Sequence, residues 1–387
     1  MGMYLDYNAS TPVDPRVLDV MVDVYRNHFG NASSRTHQFG SDANKIVEQA
    51  RENVASLLGV QKNEVIFTSG STESNNMAVL GLEEKGQKSG KMHIITTAME
   101  HKSVLEPCKI LEKRGFEVEY LKPGEDGRIQ AEDVWNRLRD DTLLVSVMHV
   151  NNETGTIQPV RKIGEFLRER SVLFHVDVSQ SCGKLVDEIR EIPFDILSAS
   201  AHKMGGPQGV GILVARNKRD IFSGLQPITY GGGQEWGMRP GTLPVALIAG
   251  LGKAAEISWK EKKEIHDGCQ NNLNAFLRVL EESGVKYQIN GDLVYSAGSC
   301  LNVSFEDYDS EALMLMIQEI MGAAISNGSA CTSQSDSYQA SYVLQAMGLE
   351  KKRIESAVRI SWGREKIDEE IFYGITEIVK SWQKNKN

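Results

Sequence analysis

The chain has 387 residues, of which 41% are hydrophobic and 25% are charged, a composition typical of a folded globular protein with one large or two modest cores. Its formal net charge is −9, from 52 acidic and 43 basic residues, which argues against direct nucleic-acid binding through a broad basic surface. No run of 18 apolar residues is present and the N-terminus lacks a basic region followed by an apolar stretch, so we expect neither a membrane span nor a secretory signal.

Five cysteines are spread widely along the chain. Their number is odd and no two of them form a C-x-x-C pair, so the pattern predicts neither a disulfide framework nor a zinc site. We therefore expect reduced thiols, a cytoplasmic location and no metal ion.

Short apolar runs alternate with helical segments from about residue 64 to about residue 215. This alternation is typical of an α/β fold with a mainly parallel sheet. Helices are predicted over 14–25, 41–58 and 75–82. Strands are predicted over 64–68, 93–97, 143–150, 172–178, 194–200 and 210–215.

The second half of the sequence has a different pattern. A long helical run over 247–283 is followed by two predicted strands, 300–305 and 357–362, and by helices over 310–320, 340–347 and 368–383. This mixture predicts a smaller α+β domain to which the N-terminal segment returns. We expect a large domain over 14–258 and a small domain formed by 1–13 and 259–387.

The turn S-G-S-T-E-S at 69–74 separates the predicted strand 64–68 from the helix that follows. Ser71 and Thr72 offer hydroxyl groups beside the free backbone N–H groups of a helix N-terminus, which together favour a phosphate dianion. Ordinary capping of the helix by serine or threonine is the alternative. No G-x-x-x-x-G-K-[ST] motif is present, so the turn is not a nucleotide-binding P-loop.

Asp177 and Lys203 both follow predicted apolar strands. Ligands of open α/β sheets bind at the carboxyl ends of strands, and a lysine in a dry pocket can bind an aldehyde covalently. A carboxylate that keeps a pyridine ring protonated is the second group that pyridoxal phosphate (PLP) requires. A solvated surface lysine and a turn-forming aspartate are the alternatives.

Cys331 lies in the polar segment I-S-N-G-S-A-C-T-S-Q-S-D-S-Y-Q-A-S at 325–341. A structural cysteine is usually buried as a small hydrophobic residue, whereas serine- and glycine-rich loops of this kind are often functional. The setting predicts a reactive thiol at Cys331. The other four cysteines lie in helical or strand patterns, and Cys182 is the next candidate.

The motifs H-V-D-V-S-Q-S, S-A-H-K, G-G-G-Q-E-W-G-M-R-P-G-T at 231–242 and G-S-A-C-T-S at 328–333 resemble those of cysteine desulfurases of the NifS/IscS type. The similarity runs from Tyr4 to Ser361, and it fits group I of these enzymes, with a long catalytic loop, in the class-V aminotransferase family. The resemblance implies a PLP-dependent transferase of fold type I. Such a chain has a large domain with a mainly parallel seven-stranded sheet and a smaller α+β domain.

The resemblance also implies roles for single residues. The implied catalytic residues are Cys331, Lys203 and His101. The implied cofactor-binding residues are Lys203, Ser71, Thr72, His101, Asn152, Asp177, Gln180, Ser200, His202 and Thr242. The implied substrate-binding residues are Asn8, Asn31, Asn152 and Arg359, with Arg364 a weaker candidate for the substrate carboxylate.

By the same resemblance, sulfur is removed from L-cysteine to give L-alanine and a persulfide on Cys331, which passes it to an acceptor protein. Thr242 implies a homodimer with shared active sites. The loop around Cys331 has two extra residues compared with the usual long-loop form, and Ala340 replaces the usual proline. These departures suggest a specialised sulfur donor for DNA phosphorothioation, thiolation or iron-sulfur cluster assembly.

Two other classes of function remain open from the sequence. One is a different fold-type I reaction, such as that of a selenocysteine lyase, an aminotransferase or a decarboxylase, although an aminotransferase would not need Cys331. The other is a non-catalytic scaffold for sulfur transfer. The presence of Lys203, Asp177, His101 and Cys331 together argues against the scaffold.

Overall fold

The computed structural model describes residues 3–216, 224–328 and 340–385. A seven-stranded sheet forms its larger layer, in the order β1-β7-β6-β5-β4-β2-β3. Strand β7 is antiparallel to both of its neighbours, and the other neighbouring strands pair in parallel. The predicted mainly parallel sheet of an α/β fold is therefore confirmed. The strands are β1 (Val65–Thr68), β2 (His93–Thr97), β3 (Glu117–Leu121), β4 (Thr142–Ser146), β5 (Leu173–Asp177), β6 (Ile196–Ser200) and β7 (Gly211–Ala215).

Helices cover both faces of this sheet, and most of its strand residues are buried. Parallel sheets need this cover because crossover connections place helices on both faces. The helices are α1 (Pro15–Asn27), α2 (Gln38–Leu58), α3 (Ser71–Leu80), α4 (Glu83–Ser89), α5 (Lys102–Lys113), α6 (Ala131–Trp135), α7 (Val160–Leu167), α8 (Val186–Glu191) and α9 (Val245–Lys260). None of the helices within the described ranges is long and apolar enough to cross a membrane.

A second, three-stranded antiparallel sheet has the order β10-β9-β8. It has its own apolar core, in which Phe276 stacks on Phe372 with ring centroids 4.6 Å apart. Leu5 belongs to this core, and its backbone N–H donates to the carbonyl of Ala324. The N-terminal segment thus packs against this layer. The elements are α10 (Lys262–Ser283), β8 (Tyr287–Ile289), β9 (Cys300–Phe305), α11 (Ser310–Met321), α12 (Tyr342–Ala346), α13 (Lys351–Glu355), β10 (Ala357–Ser361) and α14 (Glu369–Asn385).

Some element boundaries differ from those predicted. Helix α3 begins at Ser71, directly after Gly70, rather than at residue 75, so the small residues of the turn form the first turn of the helix. The predicted helical run over 247–283 is two helices, with Glu261 between them. Neither glycine nor proline marks that break; instead the Glu261 carboxylate pairs with Arg16 and Arg364.

Two glycines allow strand β7 to approach the start of helix α3. A Cβ atom on Gly211 would lie 2.5 Å from the Cα of Gly70 and 2.8 Å from the carbonyl oxygen of Ala199. Gly70 has a φ of +154°, which L-residues rarely adopt. The backbones of β7 and the α3 N-terminus therefore pack without intervening side chains.

We expect Gly211→Ala to destabilise the protein by roughly 1–3 kcal/mol, the usual cost of overpacking, because its Cβ would collide with the Gly70 backbone. Gly233→Ala is the matched control, since a Cβ there meets nothing within 4 Å and Gly233 has a negative φ. Urea unfolding at fixed protein concentration measures both. An unchanged midpoint for Gly211→Ala would contradict the close packing.

Candidate active site

Lys203 lies in a short 3-10 turn, Ala201–Lys203, that follows the carboxyl end of β6. Its Nζ donates hydrogen bonds to the backbone carbonyls of Asn8 and Ala9, the second at 2.8 Å. The N-terminal segment therefore passes directly over the lysine. The strand end predicted from the sequence is where the structure places this side chain.

Asp177 is the last residue of β5, the strand next to β6, and it is 6% exposed. One carboxylate oxygen accepts from the backbone N–H of Ser179 at 2.8 Å and from its hydroxyl at 2.5 Å. The other accepts from Nδ2 of Asn75 at 2.8 Å. Three hydrogen-bond donors thus satisfy the buried carboxylate of Asp177.

His101 is the N-cap of helix α5, and its Nδ1 accepts from the backbone N–H of Ser103 at 3.1 Å. The Ser103 hydroxyl lies 2.7 Å from the same nitrogen. Burial lowers the pKa of His101, the Asp177 carboxylate opposes this, and the Lys203 ammonium adds to it. The three side chains are therefore close enough to act on one another.

The turn before α3 forms an open cradle. Helix α3 has no side-chain cap at Gly70, so the N–H groups of its first turn remain available to an anion. A Cβ on Gly70 would lie 3.6 Å from the hydroxyl oxygen of Ser200, which ends strand β6. The hydroxyl of Ser200 therefore faces the same cradle as the start of α3, where Ser71 and Thr72 lie.

Three amide side chains surround the space beside Lys203. Gln180 donates to the carbonyl of Asn8 at 2.9 Å, and Asn8 donates to the carbonyl of Asn152 at 3.1 Å. Within the described part of the chain, a buried amide oxygen on each of these three residues has no hydrogen-bond partner. Buried polar atoms are nearly always satisfied, so this space fits a polar ligand.

Arg359 lies in the middle of β10 and is 3% exposed. Its guanidinium donates to Asp6 Oδ1 at 2.6 Å and to the carbonyl of Asn152 at 3.0 Å, while its buried Nε has no partner among the described residues. Arg364 instead pairs with Glu261, and its Nη2 lies 3.8 Å from a carboxylate oxygen of Asp14. Of the two arginines, Arg359 is the one joined to the amide cluster.

His202 lies beside Lys203 but points toward the N-terminal segment. Its Nδ1 is 3.3 Å from the hydroxyl of Ser10, and its carbonyl accepts from the N–H of Thr11. Burial, with the Lys203 ammonium adding to it, lowers the pKa of His202 to about 4. The ring is therefore neutral near pH 7 and contributes by packing and hydrogen bonding.

Two residues implied by the resemblance lie apart from this cluster. Asn31 is exposed between α1 and α2, where its side chain accepts from the backbone N–H of Ser33. Thr242 is exposed in the loop before α9. Within one chain, the described contacts do not bring either residue to Lys203.

Cys331 lies outside the described residues, so its position relative to Lys203 stays a prediction. The other four cysteines are described, and all of them are buried free thiols. Burial raises the pKa of Cys108 and of Cys182 to about 12 and that of Cys269 to about 11, and it raises that of Cys300 as well. These four thiols are therefore protonated near neutral pH and are poor nucleophiles.

Glu153 joins the two described ends of the segment that carries Cys331. Its buried carboxylate accepts from the hydroxyl of Ser341, and a Cβ on Gly328 would lie 2.9 Å from the same carboxylate oxygen. Burial raises the pKa of Glu153, while the Ser341 hydrogen bond and the Arg359 cation oppose the rise. Residues 328 and 341 thus meet at one carboxylate next to Asn152.

Several residues of the site were missed from the sequence. Asn75 is one turn after Ser71 on α3 and so projects to the same side. Ser103 is two residues after His101 and donates its backbone N–H to that N-cap side chain. Those spacings could have identified both. Nothing in the sequence indicated that Asp6 pairs with Arg359 or that Glu153 contacts Ser341, since each pair is formed only by folding.

These groups fit PLP. Lys203 would hold its aldehyde, the α3 N-terminus with Ser200 would hold its phosphate, and Asp177 would face its ring nitrogen. The unpartnered amide groups of Asn152 and Gln180 would face its remaining polar atoms. Among the described residues no group of histidine, cysteine or carboxylate side chains could hold a metal ion.

Residues 3–373 match the model of the class-V aminotransferase family. The cysteine desulfurase IscS of Photorhabdus laumondii is 45% identical to the chain over 387 residues, which covers 98% of this chain and 93% of the relative. Two solved structures are also similar. DndA from Streptomyces lividans is 45% identical with a TM-score of 0.79, covering 92% of this chain and 98% of its own. SspA in complex with cysteine is 37% identical with a TM-score of 0.82, covering 94% of this chain and all of its own.

The match to the family model covers nearly the whole chain, and so does the match to IscS. The fold, the polar groups around Lys203 and the sequence similarity therefore agree. The chain belongs to the PLP-dependent cysteine desulfurases of the class-V aminotransferase family.

Proposed function

We propose that this protein removes sulfur from L-cysteine and carries it as a persulfide on Cys331 before passing it to an acceptor protein. The observation that carries the proposal is the convergence of Lys203, Asp177 and His101 at the carboxyl edge of the sheet, next to Arg359. When bound, PLP supplies the electron sink for the reaction. The residues of the chain supply binding, orientation and proton positions.

Arg359 binds the substrate carboxylate in this proposal. A planar guanidinium is suited to two parallel hydrogen bonds with a carboxylate, and Arg359 has a buried Nε that faces no described partner. Asp6 and the carbonyl of Asn152 fix the other end of the guanidinium, and Asn8 lines the same space. Lys203 moves the proton at the substrate carbon.

Cys331 takes the sulfur as a thiolate. A sulfur–sulfur bond forms between Cys331 and the substrate while the carbon–sulfur bond breaks. The bonding pair stays with the carbon fragment, which takes up a proton and leaves as L-alanine. The four described cysteines are unsuited to this step because their thiols are buried and protonated.

Thr242 and Asn31 act across a homodimer in this proposal. Thr242 follows a loop with two exposed aromatic side chains, Tyr230 and Trp236, and a groove of about 720 Å³ separates that loop from residues 32–35. Exposed aromatic groups around a groove are typical of an interaction surface. We infer that each subunit completes the phosphate site of the other through Thr242.

We propose that the chain divides into a large domain, 14–258, and a small domain formed by 1–13 and 259–387, and that the site residues are distributed between these two domains. The separate sheets and cores support this division.

We also propose a cytoplasmic location, since the described cysteines are free thiols. The similarity to both IscS and DndA supports iron-sulfur cluster assembly, thiolation or DNA phosphorothioation as the pathway, and a native pull-down would identify the acceptor.

Cys331→Ser should bind PLP and respond spectrally to L-cysteine but release neither sulfide nor L-alanine, because a hydroxyl is not the soft nucleophile that the step needs. Cys108→Ser is the matched control. In the unaltered protein, brief exposure to L-cysteine without reductant should add one sulfur atom to the peptide that contains Cys331. Sulfur found first on Cys182, or full sulfide release by Cys331→Ser, would contradict the assignment. Lys203→Ala, which should keep the fold and the dimer but lose the covalent link to PLP and all sulfide release, tests the cofactor role separately.

Arg359→Lys should raise the KM for L-cysteine at least roughly tenfold, since a point cation replaces a two-pronged donor, and it should leave PLP bound. Arg364→Lys serves as the control because Arg364 pairs with Glu261 instead. Steady-state alanine formation with an absorption spectrum of bound PLP measures both. An equal rise in KM for the two variants would remove the special role of Arg359.

Heterodimers test the shared site. In a heterodimer of the unaltered chain and a chain that carries both Thr242→Ala and Lys203→Ala, only one of the two sites has Lys203. If the sites are shared, the partner subunit contributes residue 242 to that site, and this residue is alanine. That site then lacks the threonine hydroxyl and should bind PLP more weakly. A mixture with Lys203→Ala alone gives the same lysine count but keeps the partner's threonine. Equal PLP affinity in the two heterodimers would show that the sites are not shared through Thr242.

A further inference from the structure

A buried asparagine links the Asp177 carboxylate to the His101 ring through a serine. Asn75 and Ser103 are both buried. The Nδ2 of Asn75 is 2.8 Å from Asp177 Oδ2 and 2.8 Å from the hydroxyl oxygen of Ser103. An amide nitrogen has two protons and no lone pair to offer, so it donates in both bonds.

The donation from Asn75 also fixes the direction of the hydrogen bond between Ser103 and His101. The Ser103 hydroxyl oxygen accepts from Asn75, which leaves its single proton for His101 Nδ1 at 2.7 Å. The backbone N–H of Ser103 also points at Nδ1, at 3.1 Å. A backbone N–H can only donate, so Nδ1 of His101 is an acceptor and carries no proton. In the neutral ring the proton then lies on Nε2.

The surroundings of His101 favour that neutral ring. Its position at the N-terminus of α5 places the positive end of the helix dipole beside it. Burial lowers the pKa of His101, and the cations that face it, Lys203 after β6 and Lys102 on α5, act in the same direction. Asp177 on β5 opposes them. The carboxylate is already satisfied by Asn75 and Ser179.

We propose that Asn75 and Ser103 hold His101 as a neutral N–H donor from Nε2, and that His101 does not serve as the base at the substrate carbon. Asn75 is a positioning residue in this scheme because it touches His101 only through Ser103. The first part concerns the folded chain alone, and the second rests on the proposed function. A histidine held neutral at a helix N-terminus is known to act as a hydrogen-bond donor to a reacting oxygen.

The tautomer is tested by nitrogen-15 NMR of protein labelled at histidine, with and without PLP, and with His101→Gln to identify the signal. We expect one protonated and one bare ring nitrogen at neutral pH, with the proton on Nε2, and no cation until the pH falls below the ordinary value of about 6.5. Asn75→Ala should let the Ser103 hydroxyl turn toward Asp177, which leaves the Ser103 backbone N–H as the remaining described donor to Nδ1 and shifts the Nδ1 resonance toward that of a nitrogen with a weaker hydrogen bond. Asn53→Ala is the control, since Asn53 lies on α2 and donates to the carbonyl of Gly252. A proton on Nδ1 in the unaltered protein would overturn the proposal.

The second part is tested by exchange of the Cα hydrogen of L-alanine with deuterated water, followed by proton NMR. His101→Gln should slow the exchange by roughly tenfold, the effect of one lost hydrogen bond, whereas Lys203→Ala should abolish it. If His101→Gln abolishes the exchange as completely as Lys203→Ala, His101 is the base and the inference fails. If exchange persists in Lys203→Ala, the proposed role of the lysine fails, while the NMR result still decides the tautomer.

Discussion

The site depends on the N-terminal segment, which lies between the two sheets and has to satisfy its own backbone groups there. Buried carbonyls need donors, and those of Asn8 and Ala9 receive theirs from Lys203 and Gln180. Asp6, two residues earlier, pairs with Arg359 of the smaller sheet. A few residues of extended chain therefore join the lysine turn, the amide cluster and the arginine, and the site is complete only when this segment is docked.

The parallel strands of the larger sheet position the other residues of the site. β5 and β6 run side by side, so Asp177 and Lys203 emerge at the same edge although they are 26 positions apart in the sequence. The close contact between Gly70 and Gly211 brings the N-terminus of α3 to that edge as well. An anion cradle, a carboxylate and an amine are thereby fixed by backbone geometry, before any side-chain network is considered.

The sequence predicted those parts that follow from local pattern. Apolar runs located β1, β2 and β4 to β7, and strand ends located Asp177 and Lys203. Strand β3 was missed because it lies at the sheet edge and reads E-V-E-Y-L, and the break between α9 and α10 because ion pairs of Glu261 mark it. The pair formed by Asp6 and Arg359 joins residues 353 positions apart. No periodicity reports such a contact, because it requires the two sheets to be already placed.

The arrangement of charges around Lys203 and His101 bears on which of the two would move protons in the proposed reaction. Lys203 and His101 lie close enough for their charges to interact, and the Lys203 ammonium lowers the pKa of His101. Asp177 is the nearby carboxylate, and three donors already hold it. Two neighbouring titratable groups whose surroundings push their pKa values apart take different roles in proton transfer. In the proposed scheme His101, whose Nδ1 accepts from Ser103, keeps the proton on Nε2, and Lys203, on a flexible stem, transfers the proton at the substrate carbon.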